Sequence, residues 1–259
     1  MIWEFTSART EQGICTVTLH RNIKLNSLTP AMLEELGQHA KNIDNDDSIR
    51  AVILTAEGAR AFCVGADINE WAALGPIDMW RRWVKRGHEI FDMWAHLRQP
   101  TIAAINGHAF GGGLELAITT DIRIAIHEAQ FALPEASIGT CPGWSGTQRL
   151  CRLVGSSQAK YLALGGQRIS AAQALSSGLV HEVVDAETLL LRASAIAHEI
   201  AKKAPISVQV TKQLINAASG EDRGAAIEAI AGGFSAMTQD AKEGVSAFKE
   251  KRQPKFSGY

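Results

Sequence analysis

Residues 106–117 read NGHAFGGGLELA, and the rest of the chain is organised around this stretch. The apolar run at residues 101–105 precedes it and has the pattern of a buried strand. Three glycines follow at 111–113, and residues 114–117 suit the start of a helix. Such a strand, turn and helix leave backbone N–H groups unpaired at the positive end of a helix dipole. The stretch therefore predicts a site for a negatively charged oxygen, belonging either to a phosphate or to a reaction intermediate.

Size and composition set the broad class of the protein. The chain has 259 residues, enough for one large α/β domain or a domain with an appendage. Hydrophobic residues make up 46% and charged residues 20%, as in an ordinary globular protein. The net charge of −1 gives no overall field that would draw the chain to nucleic acid or to an anionic membrane. We expect neither as a partner.

The cysteines and the first residues bear on the compartment. The four cysteines are scattered, without a C-x-x-C pair or a neighbouring histidine cluster, so reduced thiols are expected rather than disulfides or a metal site. The start, MIWEFTSART, does not have the pattern of a signal peptide, and no apolar run has the length of a membrane span. These features predict a cytosolic or organelle-matrix setting, and of the two we expect the cytoplasm.

Strands alternate with helices over the first two-thirds of the chain, which predicts a mostly parallel sheet with crossover helices. Beyond residue 146 the pattern becomes almost entirely helical. We predict a core over residues 1–195 and a helical C-terminal region over 196–259. Strands are predicted at residues 14–20, 51–54, 61–63, 101–105, 122–126, 130–132 and 179–184, the first as part of a hairpin. Helices are predicted from Thr29-Pro30 to Ile43, at 78–97, after Ser170, and at 187–203, 206–218, 221–237 and 240–251.

The predicted helix at residues 78–97 is rich in aromatic side chains. Asp78 is its expected N-cap, and Pro100 follows its end. The aromatic residues have helical spacing, which indicates packing in the core or an interface rather than a ligand cage. They are Trp80, Trp83, Phe91 and Trp94.

Two glycine-containing strand ends carry the chemistry that the sequence suggests. One is Gly65-Ala66 and the other includes Gly112, and each offers a backbone N–H to the same oxygen. Two such donors form an oxyanion hole for a carbonyl oxygen that gains charge in the transition state. Glu115 lies one helical turn beyond Gly112, and Glu135 belongs to a separate element. Two donors and two carboxylates are sufficient for proton transfer beside a carbonyl.

Each of these features has a structural alternative. The glycines are also compatible with a tight turn or a phosphate cradle, although neither G-x-G-x-x-G nor G-x-x-x-x-G-K-[ST] is present. A glutamate in a first helical turn is an ordinary stabiliser of the helix dipole. Taken singly, Glu115 is better explained as such a stabiliser, and Glu135 as a solvated or salt-bridged side chain. Their combination with two donor pairs favours catalysis.

Four sequence blocks resemble the enoyl-CoA hydratase/isomerase family, also called the crotonase family. They are AFCVGADINE at 61–70, AAINGHAFGGGLELA at 103–117, QFALPEASIGTCPGWSGTQRL at 130–150 and RISAAQALSSGLV at 168–180. Their order and spacing fit the family over essentially the whole chain. The resemblance implies an α/β fold, a crotonase-like spiral of β-β-α units with a helical C-terminal trimerisation region. It also implies a homotrimer or a homohexamer built as a dimer of trimers.

The resemblance implies roles for four residues. Backbone N–H groups matching Ala66 and Gly112 bind the thioester oxygen of an acyl-CoA in this family. Glu115 matches the base that acts on water, and Glu135 matches the residue that exchanges the proton at the α-carbon. Isomerases of the family generally manage with one glutamate at the position of Glu135. Both glutamates together favour a hydratase, a carbon–oxygen lyase of fatty acid β-oxidation, without excluding a side isomerase activity.

Matching positions also imply contacts with the substrate, whose coenzyme A portion makes a separate cofactor unnecessary. The implied contacts are Lys24, Leu25, Ala61, Gly65, Asp67, Ile68, Gly111, Pro134, Gly143, Trp144, Phe248 and Lys251, the last two with the coenzyme A of a neighbouring subunit. Asn69 stands where the family often has lysine. Trp144 replaces a smaller residue, and it either reshapes the acyl pocket or packs at a turn.

Other functions stay open within the same resemblance. One is an enoyl-CoA delta-isomerase, and another is a hydratase for an aromatic or branched acyl-CoA. A third is a non-catalytic or RNA-binding member of the fold. The near-zero net charge and the lack of a basic cluster argue against RNA binding. The acyl chain length does not follow from these motifs.

Overall fold

The computed structural model describes residues 3–221 and 223–259. Residues 1 and 2, part of the predicted start, and residue 222, inside the predicted helix 221–237, lie outside the described residues. The chain divides into two compact units, of which the first ends at Val208 and the second spans Gln209–Tyr259.

A six-stranded sheet forms the larger layer of the first unit, and it confirms the predicted parallel arrangement. Its order is β1-β2-β3-β5-β7-β10, with only β1 antiparallel to its neighbour. β1 and β2 form the predicted hairpin. The strands are β1 Thr6–Glu11, β2 Ile14–Leu19, β3 Ala51–Ala56, β5 Thr101–Ile105, β7 Ile122–Ile126 and β10 Glu182–Val184.

A second sheet of four short strands accompanies the first. They are β4 Ala61–Cys63, β6 His108–Phe110, β8 Gln130–Ala132 and β9 Ile169–Ser170, in this order. The chain thus passes from a strand of the large sheet to a strand of the small sheet, then through a helical segment, and repeats this step. This repeated turn is the predicted β-β-α spiral, and it brings the carboxyl ends of β4 and β6 side by side.

Helices connect the successive turns of the spiral and form most of the chain after residue 146. They are α1 Pro30–Asp44, α2 Ile68–Trp71, α3 Pro76–Asp78, α4 Lys85–Ala95, α5 Gly112–Ala117, α6 Gly146–Gly165, α7 Ala171–Ser176, α8 Leu189–Ala201, α9 Pro205–Ala218, α10 Arg223–Ala236 and α11 Gln239–Glu250. A π-helix spans Met79–Val84, and α6 is interrupted at Gly155. Short 3-10 helices span Asn22–Lys24, Glu135–Ile138 and Ala186–Thr188.

Local capping explains where two of the predicted helices begin. Thr29 Oγ1 accepts the Met32 N–H at 3.2 Å, with proline at the first helical position of α1. Ser170 and Gln173 form a reciprocal capping box at the start of α7. Both starts follow from the sequence because the cap residue and its partner are only three positions apart.

The aromatic segment differs from the single helix predicted for residues 78–97. The chain is instead divided into α3, the π-helix and α4, and Asp78 makes no capping hydrogen bond. A π-turn adds a residue per turn and so shifts the helical period. Trp80 is 64% exposed, whereas Trp83 and Trp94 are buried. Core packing is therefore confirmed for Trp83 and Trp94, and for Trp80 only the predicted interface packing remains, which stays a prediction.

The boundary of the first unit lies later than the predicted division after residue 195. That position falls inside α8, which packs against β3 and β5 and buries Leu189, Ala193 and Ala197. The predicted strand at 179–184 is also shorter, because only Glu182–Val184 pairs with β7. Helix α8 thus belongs to the core, although its composition resembles that of the helices that follow it.

The second unit contains most of α9, together with α10, α11 and the chain end. Backbone N–H groups of Gln239 and Asp240 both donate to the Tyr259 carbonyl oxygen, so the last residues fold back on the start of α11. Lys251 ends α11 in a left-handed conformation. Within the described part of the chain, no helix is both long and apolar enough to span a membrane.

Candidate active site

The glycine turn of residues 111–113 places β6, α5 and β4 in close contact. Gly111 has φ of +52°, a conformation that L side chains rarely adopt. A Cβ at Gly113 would overlap the Cys63 carbonyl oxygen at the end of β4. The Gly111 N–H donates to the Ala132 carbonyl at 2.9 Å, which ties the turn to β8. These contacts explain why the turn needs residues without side chains.

Two backbone N–H groups face one another across the ends of β4 and β6. Gly112 is the first residue of α5, so its N–H has no acceptor within the helix. The Leu28 N–H donates to the Gly65 carbonyl and the Asp67 N–H donates to the Leu28 carbonyl, so the Ala66 N–H takes no part in this bridge. A Cβ on Gly112 would lie 3.6 Å from the Ala66 nitrogen. The two donors therefore lie close enough to share one oxygen.

Glu115 is a buried carboxyl held by a single turn of the chain. Its side chain is 2% exposed, and Oε1 accepts the N–H groups of Trp144 and Gly146, each at 2.8 Å. Burial raises the pKa of Glu115 above its ordinary value, while these backbone N–H groups act to lower it. The carboxyl thus has a fixed direction and a polar anchor in an otherwise apolar position.

Glu135 approaches the glycine turn from another element. It is the first residue of the 3-10 helix Glu135–Ile138, and a Cβ on Gly111 would lie 2.8 Å from its Oε1. Among the described residues its buried Oε2 has no hydrogen-bond partner. Burial, with a further contribution from the charge of Glu115, raises the pKa of Glu135 to about 7. A carboxyl with this pKa both gives and accepts protons near neutral pH.

One cavity of about 250 Å³ contains both carboxyls and both donors. Ten of the residues predicted from the sequence lie on its wall. They are Gly65, Ala66, Ile68, Gly111, Gly112, Glu115, Pro134, Glu135, Gly143 and Trp144. Two N–H donors aimed at one oxygen and two carboxyls beside it are the parts needed to form an enolate and move protons at its carbons.

Four predicted contacts lie outside this cavity. Lys24 is exposed, and Leu25 lines a separate cavity beside Arg60. Ala61 is buried within β4. Asp67 caps α2 and pairs with Arg21 at 2.7 Å. The contact of Asp67 with substrate stays a prediction. In the structure, the Asp67 side chain holds the segment next to Ala66 in place.

The two C-terminal contacts lie in the second unit. Phe248 belongs to α11 and is 86% exposed, and Lys251 is exposed just beyond that helix. An exposed phenylalanine and lysine are compatible with a contact to coenzyme A held by another subunit. Their role stays a prediction.

Several apolar residues of the cavity wall are not predictable from the sequence motifs. Trp83 was assigned to packing alone, yet it is buried and also lines the cavity, as do Trp71 and Met79. No motif marks these residues, because they belong to the segment between the family blocks, and Met79 and Trp83 also lie within the π-helix. Ile138 and Cys141 line the cavity from the loop after Glu135.

A polar cluster anchors the turn that holds Glu115. Ser145 has φ of +71°, and its Oγ lies 3.1 Å from His88 Nδ1. Asp92 accepts from Arg149 at 2.6 Å and lies 3.3 Å from His88 Nε2. These contacts tie α4 to the start of α6 and so fix the N–H groups that orient Glu115. In the described part of the chain, no group of three or more His, Cys, Asp or Glu residues is placed to hold a metal ion.

The family model described as enoyl-CoA hydratase/isomerase matches residues 9–259. The chain therefore belongs to the enoyl-CoA hydratase/isomerase family, as the sequence blocks predicted. Among its relatives is a short-chain-enoyl-CoA hydratase of Clostridium acetobutylicum, 41% identical over 94% of each chain. A crotonyl-CoA hydratase of Syntrophomonas wolfei is 36% identical over 99% of each chain.

Solved structures agree with this assignment and confirm the crotonase fold. An enoyl-CoA hydratase from Bacillus anthracis has a TM-score of 0.82 at 38% identity, covering 99% of this chain and 100% of its own. Pseudomonas aeruginosa DspI has a TM-score of 0.81 at 36% identity, covering 97% and 96%. Family and fold are thus established over nearly the whole length.

Proposed function

We propose that this chain is an enoyl-CoA hydratase, which reversibly adds water across the 2,3 double bond of a 2-enoyl-CoA thioester. One observation carries the proposal: Glu115 and Glu135 line the same cavity as the donor pair of Ala66 and Gly112. The names of the relatives from C. acetobutylicum and S. wolfei support it. The substrate is an acyl-CoA, and no separate cofactor is needed because coenzyme A is part of it.

In this proposal the donor pair lowers the barrier by holding the thioester oxygen. The N–H groups of Ala66 and Gly112 bind that oxygen as electron density moves onto it, so the intermediate is an enolate. The donors are fixed by the backbone of two strand ends, so they need no rearrangement during the reaction. Typical oxyanion donors contribute about 10²–10³-fold each to the rate.

The two carboxyls then divide the work of adding water. Glu115 takes a proton from water as the oxygen bonds to C3, and Glu135 delivers a proton to C2 as the enolate collapses. Proton exchange with solvent then deprotonates Glu115 and reprotonates Glu135, so the overall balance is one water added across one double bond, with no oxidation or reduction. Syn addition requires both carboxyls beside one face of the double bond. The pKa of about 7 for Glu135 suits a group that must hold a proton at neutral pH and release it.

The direct experiment follows the ultraviolet absorbance of crotonyl-CoA and analyses the product in ¹⁸O-labelled water. The proposal expects loss of the conjugated enoyl absorbance and one ¹⁸O atom at C3 of the product. Incubation with a 3-enoyl-CoA tests isomerisation separately. Conversion of the 3-enoyl compound without any labelled hydroxyl product would overturn hydration in favour of an isomerase.

We also propose that the protein assembles as a homotrimer or homohexamer and resides in the cytoplasm. The second unit exposes large apolar side chains, among them Phe234, Met237 and Phe248. Such surfaces on a soluble-type fold mark sites of association. All four cysteines are free, in agreement with a reducing compartment.

A further inference from the structure

Trp144 occupies a slot between two glycines of different helices. A Cβ on Gly87 of α4 would overlap the Nε1 edge of the indole, and a Cβ on Gly112 of α5 would lie 2.6 Å from its Cζ3. The ring therefore spans the distance from α4 to the oxyanion turn. It has this place only because neither glycine carries a side chain.

The same indole forms part of an aromatic wall. Its ring centroid lies 5.4 Å from that of Trp83 and 5.1 Å from that of Phe91, the latter in an edge-on arrangement. Trp144 is 3% exposed, and both it and Trp83 line the cavity. The indole is thus a packed and fixed surface, not a mobile side chain at a loop.

The position of this wall relative to the carboxyls determines what it limits. The backbone N–H of Trp144 donates to Glu115 Oε1, and a Cβ on Gly112 would overlap the indole ring, so the indole lies beside the reacting centre. Val84 closes the cavity nearby, since a Cβ on Gly143 would lie 3.3 Å from its Cγ1. An acyl chain that places its carbonyl at Ala66 and Gly112 therefore meets a closed aromatic wall on this side of the cavity.

We infer that Trp144 sets the acyl-chain length of this site and restricts it to short 2-enoyl groups, because the fixed indole limits the space beside the reacting carbons. The inference rests on the proposed acyl-CoA function and names its substrate class. The volume of the cavity, about 250 Å³, lies just below the usual range for ligand sites, which begins at about 300 Å³. A long acyl chain would have to displace an indole that is packed on three sides.

The packing of this slot predicts how substitutions of Trp144 and Gly87 change the space in the cavity. Trp144→Ala keeps the backbone N–H that holds Glu115 and opens space back to Gly87 and Phe91. Gly87→Ala acts in the opposite sense, because its new methyl group pushes the indole toward the cavity. Trp80→Ala is the matched control, since Trp80 is 64% exposed and outside the cavity wall.

The test measures binding of butyryl-, hexanoyl-, octanoyl- and decanoyl-CoA by isothermal titration calorimetry. These saturated thioesters cannot be hydrated, so binding is separated from catalysis. For the wild type and Trp80→Ala we expect Kd to increase at least about tenfold from butyryl- to octanoyl-CoA. For Trp144→Ala we expect octanoyl-CoA to bind at least about tenfold more tightly than to the wild type. Gly87→Ala should weaken binding of all four.

Several outcomes decide the inference. Equal length profiles for the wild type and a folded Trp144→Ala would overturn it, as would preference of the wild type for decanoyl-CoA. If Trp144→Ala does not fold, Trp144→Leu is measured in the same way, and an unchanged profile there overturns it equally. Length-dependent binding without hydration of crotonyl-CoA would overturn the proposed function and leave the length limit standing. Absence of binding by the wild type would overturn both.

Discussion

Glu135 gains its acid–base character from where the fold places it. Its carboxyl lies over Gly111 in a cavity with few polar partners, and the charge of Glu115 adds to the effect of burial. The resulting pKa of about 7 lies well above the ordinary value of 4.5. Folding therefore favours the protonated form of Glu135, and the stability of the protein must depend on pH through this residue.

The Glu135→Gln variant tests this dependence. The folded state raises the pKa of Glu135, so it binds the proton more tightly than the unfolded state does. The contribution of Glu135 to the free energy of unfolding is therefore fully present below about pH 4.5 and is lost as pH rises through about 7. Glutamine stays neutral, so the variant should become more stable than the wild type above about pH 7, by up to about 3 kcal/mol. Denaturant unfolding at a series of pH values measures the difference.

The matched control for this experiment is Glu187→Gln, because Glu187 is exposed on the 3-10 helix Ala186–Thr188. Its free energy of unfolding should follow the wild type at every pH. A difference between Glu135→Gln and the wild type that does not change with pH would contradict the burial of an ionisable carboxyl at this site.

At the residue scale, the four central residues of the cavity could be anticipated from the sequence, whereas much of its apolar wall could not. Glu115, Glu135, Ala66 and Gly112 belong to the sequence blocks that resemble the family, so their place in one site could be expected, and their catalytic roles stay predictions. The direction of Trp83 could not, because it depends on a π-turn that no motif marks. Apolar wall residues have no fixed spacing and are defined only when the segments around them are packed.

At the element scale, the third glycine of the turn is explained by packing between α5 and β4. A Cβ at Gly113 would overlap backbone atoms of Cys63, which cannot move without disturbing the small sheet. Gly113→Ala should therefore destabilise the protein by about 3 kcal/mol, the upper part of the usual range for overpacking. Thermal and denaturant unfolding measure this loss.

Gly232→Ala is the control for the stability of Gly113→Ala. Gly232 lies in α10 with open space around its Cα, and alanine is preferred to glycine within helices by about 0.5–1 kcal/mol. This variant should be as stable as the wild type or slightly more so. Equal stability of Gly113→Ala and the wild type would show that β4 and α5 are not packed as described.

Element boundaries show where sequence patterns reach their limit. The starts of α1 and α7 were predictable because a cap and its partner lie three residues apart. The division of residues 76–95 into three helical pieces was not predictable, because a π-helix has no amino-acid composition that distinguishes it from an α-helix. The assignment of α8 to the core also required its packing on β3 and β5.

At the scale of the whole molecule, family and fold were predictable because four sequence blocks in fixed order cover the chain. Without those blocks, strand and helix patterns predict only a mostly parallel α/β core. The pairing of short strands such as β4 with β6 joins segments far apart in sequence, and no local signal specifies it. The two-sheet spiral is therefore a property of the whole chain.

Assembly is the prediction that belongs to this scale. With a chain of 27.9 kDa, the proposed homotrimer or homohexamer should sediment at three or six times this mass. Sedimentation equilibrium at low micromolar concentration measures it. A Phe248→Asp variant, which places a charge on the exposed face of α11, should shift the distribution toward smaller species. A monomeric wild type would contradict the proposed assembly.

The most direct test of the central proposal compares hydration of crotonyl-CoA by the wild type with Glu115→Gln, Glu135→Gln and the surface control Glu187→Gln. Each cavity variant should lose about 10²–10⁴-fold in kcat, the usual contribution of a positioned acid or base. Glu187→Gln should match the wild type. If Glu115→Gln and Glu135→Gln hydrate crotonyl-CoA at the wild-type rate while remaining folded, the assignment of hydration to this pair of carboxyls is wrong.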